Sequence, residues 1–209
     1  MRADPYRNCA PLYDFVIGPL NVVLKRVRMK LAPPIQGMKV LDVGCGTGAD
    51  LELYSQAGCD VYGVDISPAM LKVARKKFGD SADLRLCDAA QIPFQEKFFD
   101  LVLSTYTLHA IPYEKRSSVI REMIRVVKEN GRLLLSDFRP GPYHFPEGWI
   151  SRAIIIILEL MAGLEHFNNG RDFLRRGGLQ ELIEPYHLII EKINTVRGGS
   201  IAFFLLSTC

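Results

Sequence analysis

The chain has 209 residues, of which 48% are hydrophobic and 23% charged, and a net charge of +3. That balance fits a globular chain with a sizeable core. So small a charge, with no dense Lys/Arg block, leaves no electrostatic footprint for nucleic acid. Five cysteines stand at positions 9, 45, 59, 87 and 209. Their number is odd and their spacings are long. No Cys-x-x-Cys or Cys/His pair points to a metal, so reduced thiols of a cytoplasmic protein are expected. The opening residues Met1 to Tyr6 are polar and lack the apolar region of a signal peptide.

Residues 11–31 read as a helix. Leu20, Leu24, Val27 and Leu31 recur at its period, and Lys25, Arg26, Arg28 and Lys30 form a solvated basic face. Pro33-Pro34 ends it. Met38 to Val43 is a short apolar strand, and Thr47 to Ser55 a helix with Thr47 as N-cap. Val61 to Val64 is a second strand. Ser67-Pro68 opens the next helix with a capping serine and proline at its first position, and Gly79 stops it. Leu84 to Cys87 and Phe98 to Ser104 are the third and fourth strands. Pro112 starts a helix whose inward stripe includes Val119, Ile120, Met123 and Val127, closed by Asn130-Gly131. Arg132 to Ser136 is the fifth strand. This alternation predicts a doubly wound parallel α/β sheet with helices on both faces.

The remainder differs in pattern. Residues 137–148 read as a loop. An apolar helix near 149–164 follows, interrupted by Arg152 and Glu159 and short of the roughly 20 apolar residues a membrane span needs. It is expected to be buried or to act as a lid. A helix from Arg171 to Ile183 comes next. His187 to Val196 and Ser200 to Leu206 then form an antiparallel pair around Arg197-Gly198-Gly199. The whole is organised as one domain: a helical segment 1–37, a ligand-binding core 38–138, an insert 139–170 and a closing unit 171–209.

The chemistry concentrates where the first strand turns into a helix, at Val43-Gly44-Cys45-Gly46-Thr47-Gly48. Glycines there permit positive φ and close approach of a ligand to the backbone, and the helix start offers free N–H donors. Gly44, Gly46 and Ala49 also satisfy the dinucleotide fingerprint, and Asp65 lies where that motif expects its ribose acid. Three features favour a cationic ligand over a pyrophosphate. Asp42 precedes the turn, Cys87-Asp88-Ala89 brings a further carboxylate after the third strand, and the chain closes on an antiparallel pair.

On these residues the chain resembles class I S-adenosylmethionine-dependent methyltransferases, and within them the group related to the ubiquinone/menaquinone-biosynthesis C-methyltransferases. The likeness is strong from Met38 to Asp137. It extends to Tyr13-Asp14 and to the stretch from Arg171 to Leu179, and it is weak over 139–168. It implies a Rossmann-like seven-stranded sheet with the last strand antiparallel. It implies that Gly44, Cys45, Gly46 and Gly48 pass under the methionine part of the cofactor. Asp65 would bind the ribose, Ile66 would lie against the adenine, and Asp88 and Ala89 would address its edge. Ser104, with Thr105 beside it, would offer a carbonyl to the methionine amine, and Tyr13 would cover the cofactor.

His109 and Tyr106, just past the fourth strand, are the candidate catalytic groups. The segment Ser104-Thr105-Tyr106-Thr107 replaces the Asn/Asp-Pro-Pro-Tyr motif of enzymes that methylate amino groups of DNA or glutamine. His144, Trp149, His166 and Phe167 are candidates for an acceptor pocket. The expected activity is methyl transfer to a small, hydrophobic acceptor at carbon, oxygen or nitrogen, without nucleic acid. Rival readings are an enzyme working on a lipid or quinone at a membrane surface, a nicotinamide-dependent oxidoreductase, and a non-catalytic nucleotide-binding module.

Overall fold

A computed structural model describes residues 4, 6, 7, 10, 14 and 24–208. Residues 24–31 form helix α1. There follow β1 (Lys39–Val43), α2 (Leu51–Gln56), β2 (Asp60–Asp65), α3 (Pro68–Phe78), β3 (Ala82–Leu86), β4 (Phe99–Thr105), α4 (Tyr113–Val126) and β5 (Val127–Phe138). Then come α5 (Glu147–Ala162), α6 (Leu164–Arg175), α7 (Leu179–Ile183), β6 (Ile189–Val196) and β7 (Ile201–Ser207).

The strands form one seven-stranded sheet in the order β3-β2-β1-β4-β5-β7-β6. The first five are parallel, and β7 runs antiparallel to both of its neighbours. The central strands read as near-continuous apolar runs because both faces are covered. On one face Val40, Leu101, Leu103 and Phe203 pack with Leu24 of α1, Leu51 and Tyr54 of α2 and Leu71 of α3. On the other, Leu41, Val102 and Leu135 pack with Val119, Ile120 and Met123 of α4, Phe173 of α6 and Leu179 of α7.

Local chemistry explains most boundaries. Ser67 accepts the Met70 N–H, Pro68 opens α3, and Gly79 ends it at φ 53°. The hairpin at Arg197-Gly198-Gly199 joins β6 to β7. Three boundaries, and the burial of one helix, depart from the sequence reading. Thr47 caps no helix, because α2 starts only at Leu51 and the Thr47 hydroxyl donates to Asp14 at 2.5 Å. α4 stops at Val126 rather than at Asn130-Gly131, where the chain already pairs with β4 through an irregular register. The stretch 171–183 is split between α6 and α7, with Gly177 and Gly178 at φ 91° and 71°. α5 is only partly buried. It buries Gly148, Ser151, Ile155 and Glu159, while Ile150, Ile157 and Met161 face outward.

At the edge of the second face, Tyr62, Phe94, Phe98 and Phe99 meet edge to face, with centroids 5.0–5.6 Å apart. Phe99 is fully buried at the centre of this group. Truncating it removes the aromatic contacts and leaves a cavity. Phe99→Ala is expected to cost about 3–5 kcal/mol of unfolding free energy by urea denaturation followed by far-UV circular dichroism. A loss below about 1 kcal/mol would contradict this packing.

Candidate active site

Strand order reverses between β1 and β4: the chain leaves β1 toward β2 on one side and leaves β4 toward β5 on the other. In an open α/β sheet this opens a crevice at the carboxyl ends of the two strands. The glycine turn forms one wall, and the stretch from Ser104 to His109 forms the other.

The turn is held by β2. Gly44 and Cys45 donate their N–H groups to the Val64 carbonyl at 2.8 and 3.0 Å, and Gly46 donates to Asp65 Oδ2 at 2.7 Å. The three glycines have φ of 78°, 53° and 77°, and they differ in what surrounds them. A Cβ on Gly44 would lie 2.2 Å from Thr107 Oγ1, and one on Gly48 would lie 2.6 Å from the Phe78 ring. A Cβ on Gly46 would meet nothing within 4 Å. Packing therefore requires glycine at 44 and 48, whereas among the described residues nothing crowds Gly46.

Carboxylates stand at the ends of the two neighbouring strands, Asp65 on β2 and Asp88 after β3. Asp65 accepts from Gly46 N and, through Oδ1, from Ser67 N at 2.7 Å. Burial raises its pKa, and those two N–H donors oppose the rise. Ile66 beside it is 67% exposed, an apolar surface next to an acid. Asp88 accepts from Ala90 N at 3.0 Å and pairs with Lys115 at 2.6 Å. Burial favours its neutral form, but Lys115 and the Ala90 N–H outweigh burial and hold its pKa below the ordinary value. Cys87, half-buried between Asp88 and Asp65, has its pKa pushed up to about 11 by burial and by those charges.

At the end of β1 lies a buried polar group around Asp42, and it includes a residue that sequence reasoning assigned differently. Arg28 does not belong to the solvated basic face. It is 1% exposed and ion-paired with Asp50. Nη2 makes that ion pair, while Nε and Nη1 have no hydrogen-bond partner among the described residues, nor do Asp42 Oδ1 and the Tyr106 hydroxyl. Burial drives the Asp42 carboxyl well above the usual range, reinforced by Asp50 and Asp65 and opposed by Arg28. Burial likewise raises the Tyr106 phenol, with Arg28 opposing. Arg28 lies at i+4 from Leu24 and i−3 from Leu31, both buried, so the helical period already placed it on the inner face.

On the opposite wall the Ser104 hydroxyl donates to the Val43 carbonyl at 3.1 Å, joining β4 to β1. Thr105 ends β4, and its carbonyl accepts from Thr107 Oγ1 at 3.1 Å. Tyr106 takes φ 52° and lies against Phe138, with ring centroids 5.4 Å apart. His109 is 2% exposed. Asp137 holds it twice, accepting the His109 backbone N–H at 3.1 Å and lying 2.6 Å from Nδ1. Its Nε2 faces His166 Nε2 and Glu159 Oε1, both at 3.2 Å. Burial disfavours the imidazolium, but Asp137 and Glu159 overcome it and carry the pKa to about 10. Glu159 goes the other way. Its burial is outweighed by His109 and His166, which hold it at about 2.

The residues expected to form an acceptor pocket separate. His166 joins His109, and Phe167 lines a small cavity with Phe138, Arg152, Ile156 and Arg171, whereas His144 and Trp149 are exposed. Ala89 is half-buried after β3. Tyr13 lies outside the described residues.

Comparison with known proteins supplies the context. The family described as "Methyltransferase domain" matches residues 41–135. A demethylmenaquinone methyltransferase of Renibacterium salmoninarum is 33% identical over 140 residues, covering 65% of this chain and 58% of that protein. A ubiquinone/menaquinone biosynthesis C-methyltransferase of Ralstonia pickettii is 35% identical over 131 residues, covering 60% and 53%. The chain thus spans somewhat over half the length of these relatives. Among solved structures, a TehB-like S-adenosylmethionine-dependent methyltransferase from Corynebacterium glutamicum superposes with a TM-score of 0.63 at 19% identity, covering 97% of this chain and all of that one. One from Aquifex aeolicus gives 0.61 at 17%, covering 87% of each. At that identity these two speak for the fold alone.

The turn geometry separates packing glycines from the open one. Gly46→Ala is expected to cost roughly 1–2 kcal/mol, the left-handed backbone alone. Gly44→Ala is expected to cost about 1–3 kcal/mol more, because its methyl group overlaps Thr107. Chemical denaturation of the two variants measures the difference, and equal losses would refute it.

Proposed function

We propose that the chain is a class I S-adenosylmethionine-dependent methyltransferase, as its match to the methyltransferase-domain family and its likeness to the quinone-biosynthesis methyltransferases support, and that it moves the methyl group of that cofactor to a small-molecule acceptor and releases S-adenosylhomocysteine. The observation that carries this reading is the match between the cofactor's methionine end and the unspent polar atoms of Arg28 and Asp42 at the end of β1. That end is a zwitterion. The Nε and Nη1 N–H groups of Arg28 suit its carboxylate, and the unbonded oxygen of Asp42 suits its ammonium. Gly44, Cys45, Gly46 and Gly48 supply the floor, and Gly46 has room above it.

In this assignment Asp65 takes the ribose hydroxyls with the lone pairs that Gly46 and Ser67 leave free. The exposed Ile66 side chain supports the adenine. Asp88 and Ala89 meet its edge, Lys115 holding the Asp88 carboxylate ionised. Ser104 contributes its carbonyl to the ammonium, and Thr105 borders it. The bound cofactor supplies an electrophilic methyl group on a sulfonium. The protein's task is then to align the acceptor and exclude water. Tyr106, buried against Phe138, walls the reacting end. His109 acts there as a fixed, hydrogen-bonded group rather than a free base, since both ring nitrogens face partners.

The acceptor we infer is hydrophobic and reaches the site past the insert. A second reading, that it is a lipid or quinone met at a membrane surface, is favoured by α5. Trp149, Ile150, Ile157, Leu160, Met161 and Leu164 form an outward apolar stripe on α5 and at the start of α6. None of the described helices is long and apolar enough to cross a membrane, so such contact would be peripheral. The relatives named for demethylmenaquinone and ubiquinone/menaquinone synthesis support a quinone-type ring. A cytoplasmic location accords with both readings.

Calorimetric titration of the full chain should show binding of S-adenosylmethionine and none of NADH. Asp65→Ala should weaken binding at least tenfold, about 1.4 kcal/mol. A folded sample that ignores the cofactor at millimolar concentration would overturn the proposal. For the membrane reading, the chain should co-sediment with anionic liposomes, and Ile157→Glu with Met161→Glu should abolish this without altering cofactor affinity. Equal sedimentation of the double variant would reject α5 as the contact.

A further inference from the structure

Three side chains from distant parts of the chain converge beside the proposed methyl-transfer crevice. His109 follows β4, Glu159 lies in the last turn of α5, and His166 in the first turn of α6. His109 Nε2, His166 Nε2 and Glu159 Oε1 form a nearly equilateral triangle with sides of 3.2, 3.1 and 3.2 Å. Hydrogen bonding does not satisfy this triangle. Each Nε2 carries at most one hydrogen, aimed at one acceptor, and the carboxylate oxygen carries none when ionised. At most two of the three edges are therefore bonded, and a third sets two like groups against each other. A cation shared by all three atoms satisfies every edge at once.

The dimensions agree. Two ligands about 2.1 Å from one zinc ion lie about 3.4 Å apart at tetrahedral angles and about 3.0 Å apart at right angles. The observed edges fall between these values. The surroundings agree as well. Asp137 Oδ1 lies 2.6 Å from His109 Nδ1, fixing the ring so that Nε2 points at the triangle, and Asp137 is itself held by the His109 and Phe138 N–H groups. A carboxylate behind a metal-bound imidazole is the usual means of setting its tautomer and basicity. Glu159 Oε2 is buried without a partner, leaving a second donor oxygen. Asp137 and Glu159 are 1% and 8% exposed, and two buried carboxylates match the charge of one dication.

We propose that His109, Glu159 and His166 bind one divalent transition-metal ion, zinc or a metal of similar preference, with Asp137 positioning His109. Two imidazoles and one carboxylate leave coordination positions open to water or to an oxygen of an acceptor. The adjoining cavity, lined by Phe138, Arg152, Phe167 and Arg171, also includes Glu159. The site stands on its own geometry and does not depend on methyl transfer.

The test uses the full chain, freed of metal with a chelator and dialysed. Titration with zinc chloride against a chromophoric competitor should give one equivalent bound, with a Kd on the order of 1 µM or tighter. Cobalt(II) in the same site should give visible ligand-field bands without the thiolate charge-transfer absorption of a cysteine site. His166→Gln and Glu159→Gln should each weaken zinc by more than about 100-fold, and Asp137→Asn by about 10–100-fold. Circular dichroism reports whether each variant folds. Should Glu159→Gln unfold, the partly exposed His166→Gln still decides. No stoichiometric zinc binding would overturn the proposal and leave a proton-held network. So would zinc affinity unchanged in His166→Gln, or a cobalt spectrum of thiolate type.

Discussion

One carboxylate ties the two halves of the crevice floor together. Asp65 ends β2, and its two oxygens accept the N–H of Gly46 on the turn after β1 and the N–H of Ser67 at the head of α3. Bonds to an ionised acceptor are about twice as strong as neutral ones. Ser67 in turn caps α3 and donates to Asp4, while Asp14 joins Thr47 to Lys77. The turn, the helix head, Asp4 and Asp14 are thus one hydrogen-bonded unit. A molecule seated over Gly46 rests on that unit, which explains how so open a stretch of backbone keeps one shape.

The parts of the fold that rest on local chemistry were legible in the sequence. The strands β1 and β4 are apolar because helices cover both faces, and the Ser67-Pro68 start and the Gly198-Gly199 turn each follow from one residue's backbone preference. What misled was chemistry decided at a distance. Thr47 has the right identity for a cap, yet its hydroxyl is taken by Asp14, 33 positions away. Asn130-Gly131 reads as a helix end, but β4 pairs with the chain at Val127, before the signal occurs. Arg28 looked solvated because charge outweighed position; its place between Leu24 and Leu31 was the better guide. The triangle of His109, Glu159 and His166 has no local spacing at all. An absence of cysteine or histidine motifs therefore said nothing about it.

Two buried polar groups flank the crevice, and both are only partly satisfied. Around Arg28, the arginine has one acidic partner while Asp42 and Tyr106 keep free atoms. Around His109, every group touches a partner, yet Glu159 retains an unbonded oxygen. Unpaired buried polar atoms are costly and rare in folded proteins. Their concentration at the carboxyl ends of β1, β4 and β5, rather than through the sheet, marks the region where stability has been traded for binding capacity.

The chain contains one tryptophan, and it sits at the outward start of α5, 65% exposed. Its indole emission therefore reports on the solvent side of that helix and is nearly blind to the sheet. In the folded protein it should emit at long wavelength, much as in the unfolded chain. Whatever covers α5 with hydrocarbon moves that emission to the blue. The molecule thus carries its own optical sensor for the outward apolar stripe of α5.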